Sequence, residues 1–414
     1  MSQLTSPGEK EGGARLGPVR RRYRKMGNTP AQVQLTGGPR WPRQAPARFV
    51  PSLMIGSLHM AVEGKTKTRR RTMDRRTFLQ AGLTAFGAVA VAGDAWAIAP
   101  GVAGSIMTVT GPVAPEALGR MLPHEHVLVD FAGVDEVSPD RYDRRAVFDV
   151  VRPHLEALAA AGGQTLVECT PAYLGRDPVL LRRLSEATGV RMLTNTGYYG
   201  ARGDRHIPKH AYEDSVDGLA SRWIREWEEG IGETDVRPGF IKIGVDDGPL
   251  SGIDRKLVRA ACRTHLATGL TIAAHTGPAE GAFEQLDMLA EEGVDPSAWI
   301  WVHAQAEEDV DRHLEAARRG AWVEFDGYRP EETDRYVAFA TAMRERGLLH
   351  RVLLSQDNGW YSVGEPGGGE FRGYTPLFTD LVPALEAAGF AEQEIRQLLV
   401  TNPAEAFRIR VRAA

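Results

Sequence analysis

From Ile98 onward, short apolar runs alternate with longer stretches in which apolar positions recur at helical spacing. Runs of four to eight apolar residues bounded by Gly, Pro or polar residues are typical of buried strands. The longer stretches, such as RKLVRAACRTHLATG and EEDVDRHLEAARRG, are typical of helices and end in Gly, the usual residue after a helix. The pattern therefore predicts a chain built from strand–helix repeats.

Eight such repeats predict an α/β fold with a TIM (β/α)8 barrel, in which parallel strands are surrounded by helices. A doubly wound open sheet is the alternative, but no G-x-G-x-x-G fingerprint follows a predicted strand to support it. The predicted strands are ALGRMLPHEH (117–126), 164–170, 191–199, 239–245, 270–276, 298–304, 321–328 and 351–357.

The first predicted strand ends in the peptide MLPHEHVLVD, which places His124 and His126 two residues apart. Residues at i and i+2 of a strand point to the same side, so the two imidazoles would reach toward one point, as two metal ligands do. Taken alone, the peptide also fits a surface histidine pair at a turn. The residues at the ends of the other predicted strands are needed to distinguish between these two interpretations.

Further candidate ligands lie at strand ends, where TIM barrels carry their chemistry. His275 ends the fifth strand, His303 the sixth and Asp357 the eighth, whereas His154, His265 and His313 lie in helical stretches and are expected to be packed or solvated. Four imidazoles and a carboxylate suit zinc or a similar divalent ion.

Lys242 lies inside the apolar fourth strand, in FIKIG, where a lysine is costly unless it is neutralised or ligated. A lysine that points outward between barrel and helices is the alternative. Two metals need a bridging anion, and a carbamate made from Lys242 and CO2 would supply it.

Composition places the chain in the ordinary globular class, with 43% hydrophobic and 25% charged residues and only two cysteines, Cys169 and Cys262. The formal net charge of −4 hides an asymmetry: residues 1–76 carry a net +13, so the remainder carries −17. The basic segment alone would suggest a nucleic-acid arm. The acidic remainder argues against nucleic acid as a partner.

Residues 73–97 have the order of an export signal. Arg75 and Arg76 precede an apolar run at 78–92, and an A-x-A cleavage signature follows at 95–97. The arginine pair resembles the twin-arginine (Tat) class, whose machinery exports folded proteins, so we expect a periplasmic or secreted protein. The apolar run is too short and too rich in Gly and Ala for a firm membrane anchor, which needs about 20 residues. An uncleaved amphipathic anchor is the alternative.

A basic, low-complexity leader, residues 1–72, precedes this signal. We hypothesise that translation starts at Met73 or Met60 and that the leader is either not translated or disordered. The expected organisation is therefore a signal at 73–97 followed by a single catalytic barrel at 98–414.

Several motifs together resemble the phosphotriesterase family of the amidohydrolase superfamily, which includes phosphotriesterases and lactonases. The resemblance covers about residues 104–409. The motifs are IMTVTG (106–111), LPHEH, GRDP (175–178), HTG (275–277), LLSQD and VTNPAEAF (400–407).

The resemblance implies a binuclear metal centre, with zinc as the expected metal. The first ion would be bound by His124, His126 and Asp357, and the second by His275 and His303. Lys242, as N6-carboxylysine, would bridge the two ions, and Asp357 would take the proton from a hydroxide that both ions share. The resemblance thus implies a hydrolase that cleaves the ester bond of a small molecule.

One position departs from the founding phosphotriesterases, which carry an Asp three residues after the sixth-strand histidine. Here Ala306 stands at that position, with Gln305, Glu307 and Glu308 as candidate replacements. We therefore expect a lactone or another carboxylic ester as substrate. A phosphotriesterase (organophosphate hydrolase) and a non-catalytic ligand-binding barrel are the alternatives, and the complete ligand set speaks against the second.

Substrate contacts are expected from the loops after strands two, seven and eight, and a homodimer is left open. A Gly-rich stretch at 362–374 is a candidate flap over the cavity. The candidate contact residues are Tyr173, Tyr198, Tyr199, Tyr328, Arg329, Trp360 and Tyr361.

Overall fold

A barrel of eight parallel strands forms the centre of the computed structural model, which describes residues 102–414. The predicted TIM barrel is confirmed, and the open-sheet alternative is wrong. Each strand lies within its predicted range and is shorter by a few residues. The strands are β1 Met121–Glu125, β2 Thr165–Glu168, β3 Arg191–Leu193 with Asn195–Thr196, β4 Phe240–Gly244, β5 Ile272–His275, β6 Trp299–Val302, β7 Trp322–Phe325 and β8 Val352–Leu354.

The third strand is interrupted at Thr194 and joins two parts of the barrel. Its first half, Arg191–Leu193, pairs with β2, and its second half, Asn195–Thr196, pairs with β4. From β4 onward the ladder continues in chain order to β8. Parallel order places the carboxyl ends of all eight strands at one face of the barrel, where their side chains meet.

Strands β8 and β1 close the barrel partly through a side chain. The hydroxyl of Ser355 accepts the backbone N–H of His124 at 3.0 Å, and the N–H of Asp357 donates to the carbonyl of His124 at 3.2 Å. The end of β8 is thus joined to the H-x-H segment of β1.

Helices follow the strands and cover the outside of the barrel. In α5 a capping box at Ser251 begins the helix, and Gly269, at φ +74°, ends it in the left-handed region that glycine adopts without a steric penalty. The helices are α1 Arg144–Ala160, α2 Pro178–Thr188, α3 Lys209–Glu213, α4 Val216–Glu229, α5 Gly252–Thr268, α6 Ala279–Glu291, α7 Val310–Arg318, α8 Thr333–Glu345, α9 Val382–Ala387, α10 Glu392–Arg396 and α11 Asn402–Ala406.

The barrel interior is apolar at the amino ends of the strands and polar at their carboxyl ends. Met121, Phe240, Ile300 and Leu353 belong to one buried cluster, together with Phe407 from the C-terminal segment. This apolar plug fills the lower half, and the polar residues of the upper half line a cavity at the carboxyl face.

Two short strand pairs were not predicted. Ile106–Thr108 forms a hairpin with Gly111–Val113, and Leu128–Val129 pairs with Tyr361–Ser362, which connects the loops after β1 and β8. Within residues 102–414 no helix is long and apolar enough to cross a membrane. The expected leader and export signal lie outside the described residues, so the domain limits stay predictions.

Candidate metal centre

The six predicted ligands surround one cavity of about 580 Å³ at the carboxyl face of the barrel. They come from five different strands or from the residues that follow them, and Lys242 faces the cavity rather than the helices. Their role as metal ligands stays a prediction, but the convergence that it requires is present. The six residues are His124, His126, Lys242, His275, His303 and Asp357.

Three of these side chains present their ligand atoms to a common point. Oδ1 of Asp357 lies 3.1 Å from Nε2 of His126 and 3.8 Å from Nε2 of His124. Two ligands at about 2.1 Å from a tetrahedral zinc ion lie about 3.4 Å apart, so this spacing fits one ion. Asp357 Oδ1 is buried and has no hydrogen-bond partner of good geometry among the described residues, as expected for a metal-facing atom.

The opposite ring nitrogens are occupied, which fixes the orientation of both imidazoles. Nδ1 of His124 donates to Asp326 at 2.8 Å, and Nδ1 of His126 lies 2.7 Å from the hydroxyl of Thr170. That hydroxyl donates to the carbonyl of Leu128 and therefore accepts from His126. In both histidines Nε2 is left for a metal, an arrangement typical of metal-binding histidines.

The second histidine pair lies beside the first, and Lys242 lines the same cavity. The rings of His275 and His303 are 4.4 Å apart, and Nδ1 of His303 donates to Asp326 at 2.7 Å, which leaves its Nε2 free. Lys242 is 2% exposed, and its Nζ has no hydrogen-bond partner among the described residues. A buried amine without a partner is costly, so this lysine fits a carbamate between two ions better than a free ammonium group.

Burial favours the neutral form of three of the four imidazoles, whereas at His303 the charge and hydrogen bond of Asp326 outweigh burial and raise the pKa. Burial lowers the pKa of His124 to about 3, and it lowers the pKa values of His126 and His275 as well. Burial raises the pKa of Asp357, but the nearby imidazoles of His126, His124 and His303 outweigh it and hold the value at about 2. Neutral imidazoles beside an ionised carboxylate are the form that coordinates a divalent cation.

Asp326 was missed in the sequence, although it supports both histidine pairs. Its fully buried carboxylate accepts hydrogen bonds from His124, from the ring and backbone of His303, and from Gln305 at 2.9 Å. Burial raises its pKa, but His303 and His124 outweigh this and hold it well below its usual range. Its position just beyond the seventh strand, in AWVEFDGY, was a usable signal, because the same strand-end rule identified the histidines.

Among the three candidate replacements for the missing Asp at Ala306, only Gln305 contacts the site, through Asp326. Glu307 accepts the backbone N–H groups of Ala279 and Asp309, and Glu308 is exposed. A carboxylate relay at this position is therefore missing from the described residues.

Four of the seven predicted substrate-contact residues line cavities, two in each of two neighbouring ones. Tyr199 and Trp360 line the metal cavity, whereas Tyr173 and Tyr198 line a neighbouring cavity of about 690 Å³. Tyr328 is buried, and Arg329 and Tyr361 bind backbone atoms of nearby loops. The remaining wall residues, which the sequence did not identify, include Phe131, Leu174, Arg202, Val245, Asp246 and Asp247.

The helical histidines have structural roles. His265 in α5 lies between the carbonyl of Leu270 and the N–H of Arg412, and His313 in α7 donates to the carbonyl of Ala304. Both side chains are fully buried. These two histidines are therefore packed, which is one of the two environments expected from the sequence.

Comparison with known proteins gives one family. Residues 104–407 match the model of the phosphotriesterase family. A phosphotriesterase homology protein of Escherichia coli K12 is 32% identical over 296 residues, 70% of this chain and 98% of that one. An N-acetyltaurine hydrolase of Tetraodon nigroviridis is 28% identical and covers 73% of this chain and 98% of its own. A solved structure described as organophosphate hydrolysis engineered from a weak promiscuous lactonase template matches with a TM-score of 0.67 at 29% identity, over 73% of this chain and 99% of that one.

Proposed function

Since the chain belongs to the phosphotriesterase family, we propose that it is an exported hydrolase that uses two divalent metal ions to cleave a lactone or another carboxylic ester. Membership itself makes the chain a metal-dependent hydrolase of small-molecule ester bonds. The proposal adds the ligand assignment, the substrate class and the export.

The observation that carries the proposal is the convergence of the ligand set. In His124, His126 and His303 a neighbour occupies Nδ1, so each Nε2 is available at the cavity. We assign His124, His126 and Asp357 to the first ion and His275 and His303 to the second. Lys242, as a carbamate, would bind both, because its buried Nζ otherwise lacks a partner among the described residues.

The two ions, when bound, would lower the pKa of a water molecule and polarise the substrate carbonyl. The residues of this chain supply the rest of the chemistry. The carboxylate of Asp357, ionised at neutral pH, accepts the proton of the attacking water and passes it toward the leaving group. Asp326 holds His124 and His303 in fixed orientations, so little reorganisation accompanies the reaction.

The cavity walls and the residue at position 306 favour a carboxylic ester over a phosphotriester. Apolar side chains, among them Phe131, Leu174 and Val245, would contact an acyl chain or lactone ring. Ala306 replaces the relay Asp of the founding phosphotriesterases, and the template of one structural relative is described as a weak promiscuous lactonase. Phosphotriester hydrolysis is therefore the second candidate.

Export is supported by the sequence alone. Residues 73–97 combine Arg75 and Arg76 with an apolar run and an A-x-A signature. We propose that this segment directs the folded precursor to the Tat machinery and that the barrel functions in the periplasm or outside the cell.

A hydrolysis screen combined with metal analysis tests the function. Purified mature protein should contain about two divalent ions per chain and hydrolyse lactones or aryl esters with a higher kcat/KM than aryl phosphotriesters. N-acetylated amines belong in the screen, because several relatives are N-acetyltaurine hydrolases. The His124→Ala/His126→Ala double variant, purified in the same way, controls for contaminating esterases. A kcat/KM for a phosphotriester above that for every lactone would overturn the substrate assignment.

A further inference from the structure

Glu125, the residue between the two histidines of H-x-H, binds the segment that carries Asp357. Its side chain is fully buried, and it is absent from the lining of the metal cavity. Oε1 accepts the hydroxyl of Ser355 at 2.8 Å and the N–H of Gln356 at 3.1 Å, and Oε2 accepts the N–H of Asn358 at 2.7 Å. The donors are thus the neighbours of Asp357 on both sides.

Asp357 itself completes this arrangement. Its own N–H donates to the carbonyl of His124 at 3.2 Å, and the N–H of His126 donates to the carbonyl of Asn358 at 2.9 Å. Three consecutive amides after β8 therefore bind β1, two of them through one carboxylate. These hydrogen bonds hold β1 and the segment after β8 in one register. They therefore also fix the relative positions of the proposed metal ligands on the two segments.

The backbone of Asp357 needs such support. Its φ of +51° lies in the left-handed region, which is strained for a non-glycine residue and persists only where the surroundings enforce it. The carboxylate of Glu125 binds the peptide unit that follows this strained residue and the one that precedes Gln356, and the carbonyl of His124 binds the unit between them. From this backbone the side chain of Asp357 extends to within 3.1 Å of Nε2 of His126.

The contacts of Glu125 are unusual for a buried carboxylate. No Lys or Arg nitrogen among the described residues forms an ion pair with it, so N–H and O–H donors alone offset the loss of hydration. A group that serves only to fill space would be replaced more favourably by an apolar side chain, which suggests that these directed hydrogen bonds are its purpose.

We propose that Glu125 is a positioning residue for the reaction: it holds the 356–358 segment so that the Asp357 carboxylate faces the first metal position. The inference rests on the proposed function, in which Asp357 binds the first ion and accepts the proton. Glu125 touches neither substrate nor metal, so its effect is on kcat rather than on substrate binding.

The test compares Glu125→Gln with Asn402→Ala. A side-chain amide in place of the Glu125 carboxylate cannot accept at both ends, so one donor of the 356–358 segment faces an N–H group. Asn402, also buried, donates to the carbonyls of Leu349 and Val352 at the other end of β8, at 2.8 Å each. Asn402→Ala therefore weakens the anchoring of the same strand, far from the cavity.

For Glu125→Gln we expect kcat to fall about 10- to 100-fold while KM changes less than about twofold. We also expect faster hydrogen exchange in the peptide that contains residues 355–359. Asn402→Ala should lower the melting temperature by a similar amount but keep kcat and the slow exchange of that peptide. If Glu125→Gln does not fold, Glu125→Asp, which keeps the charge but is too short to reach both amides, should give the same pattern.

Hydrogen exchange distinguishes a failure of the proposed function from a failure of the positioning role of Glu125. An inactive wild-type protein would refute the proposed function, whereas the exchange comparison would still test the anchor. Wild-type kcat in Glu125→Gln, or an equal loss of kcat in Asn402→Ala at the same melting temperature, would overturn the positioning role. Unchanged exchange at 355–359 would overturn it as well.

Discussion

The most informative single residue is Lys242, because a free amine and a carbamate predict opposite results. In Lys242→Ala the negative charge between the two ions is lost, so both metals should bind weakly and activity should collapse. Acetate or propionate, by entering the gap as a bridging carboxylate, should restore part of the activity. Metal content, melting temperature and rate, all measured on one preparation, check this expectation.

Lys242→Arg is the matched control. Its guanidinium group is permanently charged and fills the space, so acetate should not rescue it. Two bound metals with a normal rate in Lys242→Ala would remove the carbamate from the mechanism. A variant that is only less stable would point to a lysine that merely packs.

Glu168 predicts a pH dependence of stability. This residue of β2 is paired in register with Glu125, and burial raises its pKa to about 8. Because the folded pKa exceeds the unfolded value of 4.5, the stabilisation is complete below pH 4.5 and is lost as the pH rises through about 8. Removing the titrating group should therefore flatten the decrease in unfolding free energy across that range, by up to about 1.4 kcal/mol per pH unit.

Urea unfolding of the wild type and Glu168→Gln over this pH range measures the effect. The difference between the two slopes removes the contribution of the histidines and metals that both proteins share. Parallel stability curves would show that Glu168 titrates normally in the folded chain.

At the scale of elements, β7 contributes to both histidine pairs although it supplies none of the six proposed ligands. In Asp326→Asn one oxygen is replaced by an NH2 group, so His124 and His303 cannot both keep their hydrogen bonds. We expect metal affinity to fall about 10- to 100-fold, with a loss of kcat that excess zinc partly reverses. Competition with a coloured chelator measures the affinity.

Gln305→Ala is the control variant for Asp326→Asn. It removes only one donor to Asp326 and leaves both histidine bonds, so metal affinity should stay close to that of the wild type. Equal effects of the two substitutions would mean that the carboxylate does not orient the histidines.

The strands and most of the site could be predicted from the sequence, because both follow local rules. Apolar runs identified each barrel strand, and chemistry at strand ends identified the histidines and Asp357. The hairpin of Ile106–Thr108 and Gly111–Val113 is too short to show a period. The position of Arg202 in the cavity wall depends on loop backbone, since its N–H binds Asp246 after β4, a contact that no local pattern encodes.

For the whole molecule, metal removal should affect stability as well as activity. The proposed ligands come from β1, β4, β5, β6 and the segment after β8, so two ions would connect most of the barrel. Chelation should abolish hydrolysis and lower the melting temperature, and zinc, cobalt or manganese should restore both. Full activity in metal-free protein would contradict the metal mechanism.

Export is a property of the whole precursor. Replacing Arg75 and Arg76 by Lys preserves the charge but removes the arginine pair that the Tat pathway recognises. We expect the precursor to accumulate inside the cell, which fractionation and immunoblotting would detect. Unchanged export of the double variant would indicate another route.

The closure of the barrel also determines when the site can exist during synthesis. His124 and Ser355, which join β1 to β8, are 231 positions apart in the chain. Contacts over such a separation form late, because the intervening loop must be closed first. A ribosome-bound chain that has not yet reached Ser355 holds the H-x-H pair without Asp357. A gene truncated before β8 should therefore yield a protein with neither a closed barrel nor a complete ligand set.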